Sequence, residues 1–396
     1  MVKLGDVFEC QITGEWGNEC SENEIGTKVL RTTNFTPEGI INYDDVVIRS
    51  INETKVEKKR LRYGDIILEK SGGTEKTPVG RVVFCDESIE KGIYLCNNFT
   101  QAMRVNQDIA IPRYVFYFMW NLHYSGRTDL LQNKTTGIRN LQVKSYLNEN
   151  CPIPPLDEQR KIAAVLDKVN DLIAKRRQQL DKLDELIKAR FVEMFGDMVN
   201  NPKAWDTYSL DDCFEITSSK RILKSEWKDS GIPFLRVRDM VQLATTGKVD
   251  NEFFISEEFY ASLSDSDGIP KEGDILVSAT STLGKCYVVG KGERFYFKDA
   301  DVLRLRAKKE INPIFFIEQM KTGYIEEQIS KTLGVTTVAH FTIKAAKIIN
   351  MRCPNIELQN QFAAFVEQTE KTKTTISESL QQLETLKKAL MQEYFG

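Results

Sequence analysis

A chain of 396 residues has room for two or three domains. Its 41% hydrophobic and 10% aromatic content supplies full cores and excludes global disorder. The 54 Lys and Arg nearly cancel the 57 Asp and Glu, and the net charge of −3 excludes a protein that coats nucleic acid by bulk positive charge.

In chain order, Leu4-Gly5-Asp6-Val7-Phe8-Glu9 opens the sequence and Leu30-Arg31 follows. Gly64-Asp65-Ile66-Ile67-Leu68 and Val82-Val83-Phe84 are short runs rich in strand-forming residues. An apolar helix is predicted from Arg113 to Tyr124. The segment Leu130 to Asn148 has no acidic residue but carries Lys134, Arg139 and Lys144. A long helix is predicted from Leu156 to Phe195, a stretch without proline or glycine in which Leu166, Ile173, Leu180, Ile187 and Met194 recur every seventh residue.

The same series then repeats. Leu210-Asp211-Asp212-Cys213-Phe214-Glu215, Leu235-Arg236, Gly273-Asp274-Ile275-Leu276-Val277 and Tyr287-Val288-Val289 echo the earlier runs. A second apolar helix is predicted from Pro313 to Ile329, followed by an acid-free window from Gln328 to Ile356 carrying Lys331, Lys344, Lys347 and Arg352. Pro354 to Gly396 lies over Pro154 to Gly196 at an offset of 200, with twelve of 43 positions identical, Gln159 among them. A period this long is a tandem duplication. The divisions expected are globular regions at 1–150 and 200–350 and helical regions at 151–199 and 351–396.

A lone helix of about 39 residues, roughly 58 Å long, cannot bury its stripe by itself. The two copies are therefore expected to pack on each other as a coiled coil. Its seam would use Leu166, Ile173, Leu180, Leu183 and Ile187 of the first helix and Val366, Ile376, Leu380, Leu383 and Leu390 of the second. Arg176, Arg190, Lys373 and Lys387 fall at nominal seam positions and would snorkel to the edge. Two separate helices, each lying on its own domain, are the competing arrangement. The fold class expected is mixed α/β, two globular domains separated by the helix pair, with an internal pseudo-twofold repeat.

Catalytic signatures fail. There is no G-x-G-x-x-G, and the Gly284-Lys285 candidate has Ala279 where a P-loop needs glycine and Cys286 where it needs Ser or Thr. No Asn-Pro-Pro or Asp-Pro-Pro precedes an aromatic, and no Pro-Asp dipeptide occurs. Two histidines, His123 and His340, and eight scattered cysteines without a C-x-x-C pair make no readable zinc site. The expectation is a non-catalytic chain that binds no metal or cofactor. The N-terminus has no signal-peptide core and no apolar run nears the ~18–20 residues of a membrane span, so a cytoplasmic protein with reduced thiols is expected.

What remains are paired polar clusters. Each acid-free window holds a threonine-rich turn, Thr135-Thr136-Gly137 or Val335-Thr336-Thr337, ahead of Asn140 or His340. Each Gly-Asp strand runs into a small-residue loop, Lys70-Ser71-Gly72-Gly73-Thr74 with Lys76 and Arg81, or Ser278-Ala279-Thr280-Ser281-Thr282 with Lys285. Small residues allow close approach to a duplex, and Lys or Arg can reach phosphates or guanine acceptors. The DNA-contacting residues expected in the first half are Arg31, Lys70, Ser71, Thr74, Lys76, Arg81, Thr136, Arg139, Asn140 and Lys144. In the second half they are Arg236, Arg238, Thr280, Ser281, Thr282, Lys285, Thr337, His340 and Lys344. Lys144 and Lys344 are expected on phosphate. The basic run Lys55, Lys58, Lys59, Arg60 and Arg62 reads as a solvated face.

The stretch Pro152-Ile153-Pro154-Pro155-Leu156-Asp157-Glu158-Gln159-Arg160-Lys161-Ile162, leading into a long charged helix, resembles the central region of the specificity subunit of Type I restriction–modification enzymes. Thr136-Gly137-Ile138-Arg139-Asn140 and the Gly-Asp-Ile strands are also typical of that family. The resemblance spans the whole chain, although the second copy departs from it at Pro354-Asn355-Ile356-Glu357-Leu358-Gln359. It implies a non-catalytic subunit whose two target recognition domains, of mixed α/β structure, each read half of a split, asymmetric double-stranded DNA site, with the two long antiparallel helices as a ruler. Its implied partners are two methyltransferase subunits, which bring S-adenosylmethionine, and restriction subunits, which use ATP and Mg. The competing reading is a coiled-coil adaptor that bridges two protein partners without touching DNA.

Overall fold

Three sheets recur in both halves of the chain. In the computed structural model, residues 1–21, 25–136, 138–264, 267–280, 282–333 and 340–396 are described, and they divide into two compact units. The first is Met1–Arg177 with Ser379–Gly396; the second is Gln178–Glu378.

The first unit is built on an antiparallel four-stranded sheet in the order Phe8–Thr13, Thr100–Val105, Ile66–Glu69, Val82–Phe84. A three-stranded sheet sets Thr27–Leu30 between Val47–Arg49, antiparallel, and Tyr94–Cys96, parallel. A short ribbon joins Val2–Lys3 to Asn150–Cys151 and so closes the region on itself. The helix Pro112–Tyr124 begins with proline at its first turn, where the missing N–H costs nothing, and is buried from Tyr114 to Trp120 against Ile66, Leu68, Val82 and Met103.

The second unit repeats these three sheets in the same strand order. Its four-stranded sheet runs Phe214–Thr217, Val302–Ala307, Ile275–Ser278, Cys286–Val288, again antiparallel. Ile232–Leu235 lies between Phe254–Ile255, antiparallel, and Tyr296–Phe297, parallel. Asp206–Ser209 pairs with Asn350–Cys353 as the closing ribbon. The single helix expected from Pro313 to Ile329 is in fact two, Pro313–Met320 and Gly323–Leu333. Thr322 and Gly323 are poor interior helix formers, and the Thr322 carbonyl accepts from Ile325 and Glu326 to start the second helix.

The repeated Gly-Asp-Ile motif has a structural explanation. Gly64 and Gly273 turn the chain at φ of 86° and 83°, conformations that favour glycine. The buried Asp65 and Asp274 carboxylates then accept from the amides of Arg62 and Lys271, at 2.8 and 2.9 Å. Each also receives two hydrogen bonds from one arginine of the central strand. Arg104 reaches Asp65 at 2.8 and 2.8 Å, and Arg306 reaches Asp274 at 2.8 and 2.7 Å. The motif therefore anchors a strand.

The long helices are Leu156–Phe195 and Ile356–Phe395, 40 residues each. Within the first unit, the start of one runs antiparallel to the end of the other. Ile162, Ala163 and Leu166 share a core with Met391, while Arg177 pairs with Glu384 at 3.0 Å. Within the second unit, Phe362 meets Phe191 and Phe195 with ring centroids 5.4 Å apart, and Lys373 pairs with Asp184 at 2.8 Å. Leu166, Ile173, Ile187 and Val366 of the expected seam are buried; Leu180, Leu183, Ile376, Leu380, Leu383 and Leu390 are half-buried. The paired arrangement holds: each helix segment packs on a partner segment and on the globular region of its own unit, so the helices are not two separate ones lying each on its own domain.

Seam cations find partners rather than open solvent. Lys373 also bonds Glu370, Arg190 pairs with Glu193 at 2.7 Å, and Lys387 Nζ sits 3.9 Å from the centre of the Trp120 ring. Burial lowers the Lys387 ammonium to a pKa of about 8.

Candidate nucleic-acid interface

The two polar segments singled out in the first half are sewn together. Ser71–Gly73 forms a sheet with the hairpin Gln132–Thr136 and Ile138–Leu141; Asn140 faces Ser71 and Arg139 faces Gly73. The Ser71 hydroxyl donates to Asn140 Oδ1, and the Leu141 amide donates to the Lys70 carbonyl at 2.8 Å. Thr74 and Thr77 close the adjoining loop through their hydroxyls at 2.8 Å. Lys70, Ser71, Thr74, Arg139 and Asn140 thus lie on one surface, with Lys76 on the same exposed loop. The backbone of Thr136 belongs to this hairpin.

Arg81 joins the same surface. Its guanidinium makes two bonds of 2.8 Å to the buried Glu69 carboxylate, reaches the Thr32 carbonyl at 3.3 Å, and lies over the Phe35 ring. The bond to Glu69 raises the Arg81 pKa, so this cation is held charged and fixed in direction. Arg31, next to Thr32, pairs with Asp45 at 2.8 Å. The arginine candidates Arg31 and Arg81 are buttressed. By contrast, Lys70, Lys76, Arg139 and Lys144 form no ion pair among the described residues.

The second unit repeats the closure. The Phe341 amide donates to the Ala279 carbonyl at 2.8 Å, which brings His340 beside the loop of Thr280, Thr282 and Lys285. Ser278 Oγ donates to the Thr282 carbonyl and accepts from the Lys285 amide at 2.9 Å, so this loop is folded around its serine. Ser281 and Thr337 lie outside the described residues. Arg236 and Arg238 converge on Asp239 and Glu252, with Arg236 also over the Phe253 ring. Lys285 and Lys344 are exposed and unpaired among the described residues. Lys144 and Lys344 occupy matching short helices, Val143–Leu147 and Ile343–Lys347.

Register places Glu69 and Arg81 of the first unit where Ser278 and Lys285 stand in the second: the Glu69 amide bonds the Arg81 carbonyl and the Ser278 amide bonds the Lys285 carbonyl, both at 2.9 Å. At one topological position the first unit presents a carboxylate-held arginine and the second an unpaired lysine. The basic run at 55–62 is a solvated face partly neutralised by Glu15, which pairs with Lys55 and Lys59.

Sequence reading missed the work of Gln159 and Gln359. Each is buried at the first turn of its long helix and accepts from a loop amide, that of Ile111 at 2.8 Å or of Asn312 at 3.0 Å. Each also donates to the carbonyl of Pro154 or Pro354 at 2.8 Å. Their identity at an offset of 200 was the available signal. Among the described residues no group of three His, Cys, Asp or Glu side chains is placed to hold a metal ion, and no helix is long and apolar enough to cross a membrane.

Comparison with known proteins agrees with this duplicated architecture. The family model described as the Type I restriction modification DNA specificity domain matches residues 1–185 and again 202–385. A type I restriction enzyme specificity subunit of Methanocaldococcus jannaschii is 24% identical over 286 residues, 66% of this chain and 64% of that protein. A second from the same organism is 27% identical over 234 residues, 52% of this chain and 51% of the relative. The chain thus spans about half to two thirds of the length of these relatives. The crystal structure of the S subunit of a Type I restriction–modification system from M. genitalium superposes with a TM-score of 0.59 at 14% identity, covering 100% of this chain and 95% of that one. Two matches to one family model, over two units of one topology, make the conclusion plain: the chain belongs to the Type I restriction–modification DNA specificity family.

Proposed function

We propose that this chain is the DNA-reading subunit of a Type I restriction–modification complex, with regions 1–150 and 200–350 each reading one half of a split, asymmetric double-stranded site. The observation that carries the reading is the repeated loop closure, Leu141 to Lys70 and Phe341 to Ala279, which gathers an acid-free segment and a Ser/Thr/Lys loop in both units. Unpaired lysines among small hydroxyl side chains suit phosphate contact, and a carboxylate-held arginine suits directed contact with a base edge. The differing pairs Glu69/Arg81 and Ser278/Lys285 fit two different half-sequences. The chain itself acts as a non-catalytic scaffold in the cytoplasm. Two methyltransferase subunits supply S-adenosylmethionine chemistry, and restriction subunits, where present, supply ATP- and Mg-dependent cleavage.

The test is to produce the chain with its methyltransferase subunits and map methylated adenines and cytosines genome-wide. A single bipartite motif is expected, and Arg81→Ala should alter one half of it only. Methylation without a bipartite motif, or DNA retention independent of sequence, would favour the protein-bridging adaptor instead.

A further inference from the structure

The turn that leads into the central strand differs in character between the two units. In the first unit the Thr100 amide and hydroxyl both donate to the Asn97 carbonyl, at 3.0 and 2.9 Å, and close the turn at 97–100. Within it the Phe99 carbonyl accepts from the amides of Lys70 and Ser71, at 2.9 and 3.2 Å. Phe99 is therefore fixed against the segment whose strand, Ser71–Gly73, pairs with Arg139 and Asn140. Its backbone is held, yet its ring is 47% exposed and belongs to no core cluster among the described residues.

A single exposed apolar residue is ordinary, but the company of this one is not. Lys70, Lys76 and Arg139 beside it carry no ion pair among the described residues. Ile138, which opens the strand of Arg139 and Asn140, is likewise exposed. The acids of the same loop are Glu69, held by Arg81, and Glu75 in its exposed turn. In the second unit the Ala279 amide donates to the Asp301 carbonyl at 2.8 Å, as the Lys70 amide does to Phe99. Asp301 thus stands where Phe99 does, and it pairs with Lys298 at 2.7 Å.

We propose that Phe99 is a specificity-determining residue of the first unit, packing on the C5-methyl group of a thymine in the major groove; this rests on the DNA-reading function. Cations on either side of the ring suit phosphates, which fix position without reading sequence. Among the base-edge groups of the major groove the thymine methyl is the apolar one, and an apolar side chain distinguishes it from the N4 amine that cytosine presents. The ring gains by shedding water only where it meets an apolar partner. At the same place the second unit offers a carboxylate and no receptor for a methyl group.

The experiment uses the chain assembled with its methyltransferase subunits and a duplex carrying the mapped site. Each thymine of the half-site that Arg81→Ala alters is replaced in turn by uracil, which lacks only the methyl, and affinity is read by fluorescence anisotropy. One uracil should weaken binding about four-fold, the worth of one buried methyl. That loss should vanish in Phe99→Ser and persist in Phe99→Leu, both with unchanged circular dichroism. A half-site without thymine, thymines that all tolerate uracil, or a uracil effect of equal size in Phe99→Ser would overturn the assignment. So would weaker assembly of Phe99→Ser with the methyltransferase subunits in the absence of DNA, which would make the ring a protein contact. Loss of any bipartite motif would instead overturn the DNA-reading function itself.

Discussion

Single side chains decide whether each unit holds together, and Asp65 is the clearest case. Its buried carboxylate takes two bonds from Arg104 and one from the Arg62 amide. Asp65→Ala leaves a half-buried guanidinium and a backbone donor without their acceptor, and should cost the first unit about 3 kcal/mol, at the lower end for a broken buried pair. Chemical denaturation checks this, and Asp274→Ala should do the same to the second unit. An unchanged midpoint would mean that the ion pair is replaced by water. The aspartate was visible in the sequence as part of a repeated Gly-Asp-Ile run. Its arginine was not, because the partner stands 39 residues away for Asp65 and 32 for Asp274, and only strand pairing brings the two together.

At the scale of elements, the long helices are held at their entries by Gln159 and Gln359. Replacing Gln159 with Ala strands the Ile111 amide and the Pro154 carbonyl, with an expected loss of about 1–3 kcal/mol. Faster amide exchange at residue 111 than in the parent chain is the local signature. Lys387 adds a pH dependence to the helix end in the first unit. Burial lowers its pKa from the ordinary 10.5 to about 8; Glu38 and Glu384 oppose that shift, and Arg177 and Arg113 reinforce it. Between those two values the unfolded chain binds more protons than the folded one. The strain of holding a buried ammonium is therefore fully present below pH 8 and is relieved as pH rises towards 10.5. Thermal unfolding should show stability rising across that window, and Lys387→Met should flatten the rise.

Helix existence and length were legible in advance, because a seven-residue period is a local pattern and survives any tertiary arrangement. The break at Thr322 and Gly323 was overlooked although Gly323 stood in the sequence as an interior breaker of the predicted helix. Of the candidate interface, the Ser71 and Asn140 segments were each legible as repeated polar clusters, but their pairing was not, because it needs the strand contact between residues 69 positions apart. Nor were the carboxylates that hold Arg31, Arg81, Arg236 and Arg238, because Asp45, Glu69 and Glu252 sit in unremarkable sequence. A basic residue read as available turns out to be spoken for whenever folding brings an acid to it.

At the scale of the whole molecule, the sorting of cations into paired and unpaired makes a prediction about DNA. Lys144→Ala and Lys344→Ala should weaken binding to all sequences alike and lower the slope of log affinity against log salt by about 1 each. Arg81→Ala should cost about 1–3 kcal/mol and relax one position of one half-site. Fluorescence anisotropy of the assembled complex across a salt series separates the two. A weak salt dependence for the chain without partners fits its net charge of −3.

The first unit takes its last helical segment, Ser379–Gly396, from beyond the entire second unit. Vectorial synthesis therefore delivers Met1–Arg177 long before the strip that covers Tyr114 and Phe118, which Phe395 meets at 5.2 and 6.0 Å. The second unit, Gln178–Glu378, is contiguous and can complete itself first. The half made earlier finishes later, and until then an aromatic face waits open on the nascent chain. A released chain truncated after Glu378 should hold a finished second unit and a first unit that proteases can still enter.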